Sequence, residues 1–379
     1  MYSSPPKHAH ILIVGAGCFG LSTAYALSLD KEKHYRITVY DRGESVPVSD
    51  AASTDISKVV RIDYGHQRLY TDLGIEAIDA WHAWNKEVSE PLFHQVGVLA
   101  FSSGGEYSPL EKDNLKTIEE AGYGDAIERL TASQIKQRYP FLSDTVNNGY
   151  DIAYFNKLGG WCNSSEAIKH LYAKCVQNNV EFVLGKETGC FTQLVTDPHN
   201  TRSVIGIKTK DGLVHYADRV IIAAGPWTSS LIEMHHQVMA TGQIVVHFQL
   251  SEKEKQQLKD LPNWSGDVSR TGFYGFPYNK DGILKVGKHA RGYLHPRPND
   301  GISVPRTQSS HPGDTIPQSA LDEFRDFLDA FLPITTALDI VYSRVCWYSD
   351  SIDGDFVIGC HPDYDDLVVA AGDSGHAMK

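Results

Sequence analysis

Several groups of residues in this sequence are of types and spacings that could do chemistry. Gly15, Gly17 and Gly20, with Phe19 among them, form a G-x-G-x-x-G pattern, and Asp41 with Arg42 follows; Asp41 lies 21 positions after Gly20 (41 − 20). Such glycines serve a tight turn, close backbone approach to a pyrophosphate, and close packing of helix on strand. Free N–H groups at the helix start attract phosphate. An acid at this distance suits the two hydroxyls of an adenosine ribose. The residues alone leave FAD and NAD both open. Arg344-Val-Cys-Trp-Tyr348 sets Cys346 beside a cation and aromatics. It is either a packed thiol or one poised to attach to a cofactor, since a nearby cation favours the thiolate. Phe273-Tyr-Gly-Phe-Pro277 leads to Lys285 and His289, which are solvated hairpin residues or groups turned toward a cofactor. Lys58 and Arg61, among Val59, Val60 and Ile62, are surface charges or an anion site. No G-x-S-x-G or H-E-x-x-H device is present, so hydrolase and metal chemistry have no support.

The elements that must carry these residues are largely legible. Ile11–Val14 reads as a strand buried on both faces, Leu21–Leu29 as the helix after the glycines, and Arg36–Tyr40 as a second strand ending at Asp41. Residues 45–55 read as a loop. Residues 68–86 read as a helix whose buried stripe is Leu69, Leu73, Ile75, Ile78 and Trp81. Phe93 to Phe101 reads as one strand, and 133–139 as a short helix stopped by Pro140. Asn163 caps a helix running to about Asn179, with Glu166 as its early acid, and a strand follows at 180–184. Asp211-Gly212 turns a hairpin of 203–210 with 213–216. Arg219-Val-Ile-Ile-Ala-Ala-Gly225 reads as a central parallel strand, a return to the nucleotide unit. Strands are expected at 243–250, 273–277 and 283–286, a long surface loop at 294–317, and an amphipathic helix at 320–331. A strand pair at 356–359 and 367–371 leads into a second glycine turn, Gly372-Asp-Ser-Gly375.

Composition bounds the function. The 379 residues suffice for two domains, and 41% hydrophobic with 22% charged residues is ordinary for a globular chain. A net charge of −12 argues against nucleic acid. No apolar run approaches the ~20 residues that cross a bilayer. Cysteines 18, 162, 175, 190, 346 and 360 form no C-x-x-C pair, which fits a reducing compartment and no metal site. The sequence ends in His-Ala-Met-Lys rather than a peroxisomal tripeptide, so a cytoplasmic location is expected.

Taken together, Val14-Gly-Ala-Gly-x-Phe-Gly20, Phe273-Tyr-Gly-Phe-Pro277 with Lys285 and His289, Arg344-Val-Cys-Trp-Tyr348 and Gly372-x-Ser-Gly-His376 resemble the flavin-dependent secondary-amine oxidases. That family includes monomeric sarcosine, pipecolate, saccharopine and fructosyl amino acid oxidases. Ser57–Tyr64, Gly159-Gly-Trp161 and Ala223-Ala-Gly-Pro-Trp227 share the likeness, to the saccharopine oxidase branch most of all. The resemblance implies an α/β fold of the glutathione-reductase-like FAD/NAD(P)-binding superfamily. A Rossmann-like FAD-binding domain (1–90, 149–232 and 350–379) is interleaved with an α+β substrate domain on a mixed or antiparallel sheet (91–148 and 233–349).

It implies FAD held by Gly15, Gly17, Phe19, Gly20, Asp41, Arg42, Lys58, Gly372, Ser374 and Gly375, and tethered through Cys346 by a thioether. Lys285 would promote electron transfer to oxygen, Tyr274 and His289 would line the substrate cavity, and Arg61 and Lys379 would hold a substrate carboxylate. The implied reaction oxidises the C–N bond of an N-substituted amino acid to an imine and reduces O2 to H2O2, in a monomer. Loops at 101–125 and 291–317 would set the choice of amine. Lys58 stands where sarcosine oxidases carry arginine, and family chains continue beyond the lysine matched by Lys379. A C-terminal truncation is therefore expected, with a catalytically impaired flavoprotein, or a dehydrogenase serving another carrier, as the alternatives.

Overall fold

The computed structural model describes residues 4–379; residues 1–3 of the expected piece 1–90 lie outside the described residues. Two large sheets organise the chain. The first has the strand order Val357–Cys360, Leu367–Ala371, Arg219–Ile222, His10–Val14, Arg36–Asp41, Glu181–Leu184. All neighbours in it are parallel except the edge pair Val357–Cys360 with Leu367–Ala371. Its central strands are uniformly apolar because both faces are covered. Helices Cys18–Ser28 and Ser164–Gln177 bury Leu21, Ala24, Ile168 and Leu171 against Ile11, Ile13 and Val39. On the other face Phe191, Val204 and Ile207, from a small three-stranded sheet, pack on Leu12, Val14, Val220 and Ile222. Asn163 caps its helix as the sequence indicates, its side chain accepting from Glu166 N.

The second sheet runs Ile340–Ser351, Val238–Gln249, Ile283–Lys288, Phe273–Gly275, Asn263–Gly266, Val98–Ser102, Ile152–Asn156, Ile127–Thr131. It is mixed: only Asn263–Gly266 with Val98–Ser102 is parallel. Helix Gln318–Phe331 closes one face, placing Phe324, Phe327 and Phe331 against Phe101, Trp264 and Phe273. The expected fold class, a parallel nucleotide sheet interleaved with a mixed-sheet unit, is the one observed. Strand Ile152–Asn156 falls in the expected piece 149–232 yet pairs in this second sheet, because its partners Val98–Ser102 and Ile127–Thr131 flank it on both sides.

Three local expectations differ. Residues 93–101 form two strands, Phe93–His94 and Val98–Ser102, in different sheets; Gly97, at φ +80°, breaks the run, and a Cβ there would strike the Phe155 ring at 2.0 Å. Helix Arg68–Asn85 buries Tyr70, Thr71, Gly74, Ala77, Ile78 and Trp81, while Leu69 is 67% exposed. Gly74 sets this rotation: a Cβ there would lie 2.6 Å from Arg61 O, so the helix rests its glycine on that backbone. The stretch 101–125 is not simply a loop. It contains helix Pro109–Glu120, started by Ser108 as N-cap and Pro109 at the first position.

Candidate functional site

The strand, glycine turn and helix at 10–28 open on an elongated cavity of about 250 Å³. Gly15, Gly17, Phe19, Asp41, Arg42, Trp227 and Ala223 line it, and Lys58, Tyr348, Asp373 and Gly375 lie on the same wall. The three glycines answer to different constraints. A Cβ on Gly15, which sits at φ +114°, would lie 2.3 Å from Ala223 O, and one on Gly20 would lie 1.9 Å from Gly15 O. A Cβ on Gly17 would meet nothing closer than Ser53 Oγ at 3.9 Å. The chain's own packing requires Gly15 and Gly20; Gly17 leaves space on the cavity side, which suits a group that must touch backbone. Asp41 is held rigidly, its oxygens accepting from Ala16 N at 2.8 Å and Gly43 N at 2.7 Å. Arg42 stacks 4.4 Å over the Trp227 ring. These residues fit an adenine dinucleotide.

Where Lys58 and Tyr348 reach the cavity wall, the structure buries a cluster of charges. Asp55 accepts from Lys285 Nζ at 2.7 Å and from Arg344 Nη2 at 3.2 Å, and Lys58 Nζ lies 3.9 Å away. Lys285 is 1% exposed and also donates to Ser57 O at 2.7 Å. Burial by itself would raise the Asp55 carboxyl, but Lys285, Arg344 and Lys58 outweigh it and hold the group well below the usual carboxylate range. Burial pulls Lys285 down to about 8, with Asp55 acting the other way. Three cations face one carboxylate, so the cluster carries a surplus of positive charge. Cys346 adjoins it: its Sγ is 3.6 Å from Arg344 Nη2 and 3.9 Å from Lys58 Nζ. The cysteine is buried, and it lines a separate cavity of about 460 Å³ beneath residues 306–317 rather than the elongated one.

A second cavity of about 480 Å³ shares Lys58, Tyr348, Gly375 and Met378 with the elongated one. Arg61, Tyr274, His289, Ser374 and His376 line it, as does Glu111. Arg61 lies 4.6 Å from the Tyr64 ring and donates to Asp63 O. Tyr274 Oη is 3.5 Å from Tyr348 Oη, and the His289 ring lies 6.0 Å from that of Tyr348. In the second glycine turn, Gly372 and Gly375 sit at φ +68° and +77°, and a Cβ on Gly375 would meet the Tyr348 ring at 2.3 Å. Gly372 N donates to Ser349 Oγ, and Ser374 Oγ accepts from Ser351 N.

The structure therefore gathers most of the residues singled out in the sequence around one junction, though not all on its walls. Gly20, Lys285 and Gly372 are among the lining residues of neither cavity, Cys346 lines only the third, and Lys379 is not on the wall of the second. The Lys379 amine instead lies 3.6 Å from the Tyr64 ring and 4.0 Å from the Tyr70 ring and contacts His376; burial, then Arg61, lowers it to about 6. Two residues escaped the sequence reading. Asp55 sat in what read as a polar loop, with only its spacing from Lys58 to mark it. Glu111 lay within 101–125, a stretch read only as a loop that would set the choice of amine.

Comparison with known proteins agrees with this geometry. The family model described as FAD dependent oxidoreductase matches residues 10–379, and the chain belongs to that family. It is 30% identical to the L-saccharopine oxidase of Schizosaccharomyces pombe, over 97% of this chain and 86% of that protein. It is 26% identical to a monomeric sarcosine oxidase of Bacillus sp. (strain B-0618), over 98% and 89%. Among solved structures, fructosyl peptide oxidase from E. terrenum superposes with a TM-score of 0.87 at 27% identity, covering 99% of this chain and 87% of that one. Fructosyl amine: oxygen oxidoreductase (Amadoriase I) from Aspergillus fumigatus gives 0.79 at 25% identity, covering 100% and 85%. Among the described residues, no helix is long and apolar enough to cross a membrane.

Proposed function

We propose, with membership in the FAD dependent oxidoreductase family as the premise, that this protein oxidises the C–N bond of an N-substituted amino acid to an imine and returns the electrons to O2 as H2O2. The observation that carries this reading is the buried surplus of positive charge that Lys58, Lys285 and Arg344 form around Asp55, which reaches the meeting point of the dinucleotide cavity and the second cavity through Lys58. The names of the relatives support it: they are oxidases of saccharopine, sarcosine and fructosyl amines, one of them titled an oxygen oxidoreductase.

Bound FAD would supply a hydride acceptor that oxygen can reoxidise. Gly15, Gly17 and the start of helix Cys18–Ser28 would hold its pyrophosphate, and Asp41, whose carboxylate two backbone N–H groups already fix, would hold its adenosine ribose. Cys346, between Arg344 and Lys58, would form the thioether. Lys285, fixed by Asp55 and Ser57 O, holds a positive charge that needs no reorganisation as negative charge develops on oxygen. Arg61 would orient the substrate carboxylate, for which its planar fork is suited, while Tyr274 and His289 shape the cavity around the amine.

Lys285→Met tests the oxygen side. Asp55 keeps Arg344 and Lys58 as partners, so the variant is expected to fold, take up FAD and be reduced anaerobically by substrate. Its reoxidation by O2, followed by stopped-flow absorbance, is expected to slow by about tenfold or more. Unchanged oxygen reactivity would remove Lys285 from this role. In the same preparations, acid-precipitated wild type should keep its yellow colour in the pellet, and Cys346→Ser should release it to the supernatant.

A further inference from the structure

Helix Pro109–Glu120 brings one more group to the second cavity. Ser108 caps the helix and places Glu111 in its first turn, with Glu111 N donating to Ser108 Oγ at 3.5 Å. An acid there usually sits in water and favours the helix dipole. This one does not: Glu111 is 1% exposed, it lines the second cavity, and both carboxylate oxygens are buried with no hydrogen-bond partner. The polar groups around it are already engaged. Asp63 accepts from Tyr154 Oη at 2.7 Å and from Asn156 Nδ2 at 2.8 Å, and Asn114 Nδ2 donates to Tyr154 Oη at 3.1 Å. Burial first, then the neighbouring Asp267 and Asp63 carboxylates, push the Glu111 carboxyl up to about 7, and Arg61 only partly offsets them. A buried carboxyl without a side-chain partner costs the fold free energy, and its own backbone N–H and Arg61 offset that only in part. Three more buried polar atoms on the wall of the same cavity, Trp264 Nε1, Asn263 Oδ1 and Asp350 Oδ1, are also without partners. This wall is provisioned for a polar ligand.

We propose that Glu111 determines substrate specificity by receiving a cationic amine on the side chain of the substrate, so that the preferred substrates are N-substituted amino acids carrying a second, distal ammonium. The inference rests on the function proposed above. Lys58 and Arg61 bring positive charge to the same cavity, and among its described acids Glu111 is the one with both oxygens unpaired, an arrangement complementary to a substrate bearing a carboxylate and a distal ammonium.

The test is anaerobic titration calorimetry of the FAD-loaded protein with matched pairs: Nα-methyl-L-ornithine against Nα-methyl-L-norleucine, and Nα-methyl-L-lysine against its neutral Nα-methyl-2-aminoheptanoate counterpart. Wild type should bind at least one cationic member about tenfold or more tightly than its neutral partner, and Glu111→Gln should bring that ratio to near one. Equal affinities in wild type, or an unchanged ratio in Glu111→Gln, would overturn the assignment. Flavin absorbance recorded in parallel separates the two readings. Bleaching by both pairs without the affinity ratio would keep the oxidase and discard the role of Glu111. The ratio without bleaching would keep Glu111 and discard the oxidase.

Discussion

The two cavities that meet at Lys58 and Tyr348 have walls of different kinds. The dinucleotide cavity combines the glycines of the turn at 15–20 with apolar and aromatic side chains such as Val48, Phe191 and Trp227, and its principal acid, Asp41, is tied down by main-chain N–H groups. The second is walled by side chains from many separate segments, and several of its buried polar atoms are unpaired. Beside their meeting point, the Asp55 carboxylate is engaged by Lys285 and Arg344, and the cluster is positively charged. A fixed acid and a glycine turn recognise what dinucleotides share, whereas a wall with unpaired polar groups can discriminate among substrates. The unpaired groups cost stability, and Glu111, Asn263, Trp264 and Asp350 place part of that cost on the second cavity.

That contrast can be broken by substitution. The largest effect is expected at Gly20, where an added Cβ would lie 1.9 Å from Gly15 O. Gly20→Ala should lower the unfolding free energy by about 3 kcal/mol or more, measured by denaturant titration. A loss below about 1 kcal/mol would show that the turn is softer than a backbone wall requires.

Glu111→Gln should act in the opposite direction and only above mildly acidic pH. The folded carboxyl, at about 7, lies above its ordinary value of 4.5. Between those values the folded state binds more protons than the unfolded one, so this group's contribution falls as pH rises from about 4.5 to about 7 and stays lost above. Relative to wild type, the glutamine variant should be more stable at pH 8 by about 1–3 kcal/mol, with the gain fading toward pH 5. A pH-independent difference in unfolding free energy would contradict an unpaired acid in this wall.

The smallest effect on stability is expected at Gly17. Its φ of −86° is ordinary and a Cβ there is not obstructed by the chain. Gly17→Ala should leave the Tm of the FAD-free protein unchanged while weakening FAD binding by about tenfold or more, read by fluorescence titration. A lowered Tm with intact affinity would reverse the distinction between Gly17 and its two neighbours.

The same contrast explains what could be read from the sequence. The strand at 10–14, the glycine turn, the helix and Asp41 follow one another in the chain at the spacing a dinucleotide site needs, so that wall was legible. The Arg219–Ile222 strand was equally so, because burial on both faces leaves an unbroken apolar run. The motif around Cys346 and the pair Lys285 and His289 were visible as chemistry, but their partner was not. Asp55 reaches Lys285 across 230 positions, and no periodicity encodes such a pairing. Glu111 was hidden differently, since a first-turn acid after a Ser-Pro start reads as an ordinary exposed cap residue. The buried stripe of helix Arg68–Asn85 was misplaced because apolar spacing suggested Leu69, whereas close approach of Gly74 to the Arg61 backbone sets the rotation.

The central claim, oxidation of an N-substituted amino acid at the junction of the two cavities, is tested most directly by anaerobic titration of the FAD-loaded protein with a panel of secondary amino acids, followed by admission of air. The account predicts that at least one member bleaches the flavin absorbance stoichiometrically, and that air restores the colour with one H2O2 released per imine formed. A flavin that no member of the panel bleaches would contradict it, as would one that bleaches but regains its colour in air without releasing peroxide.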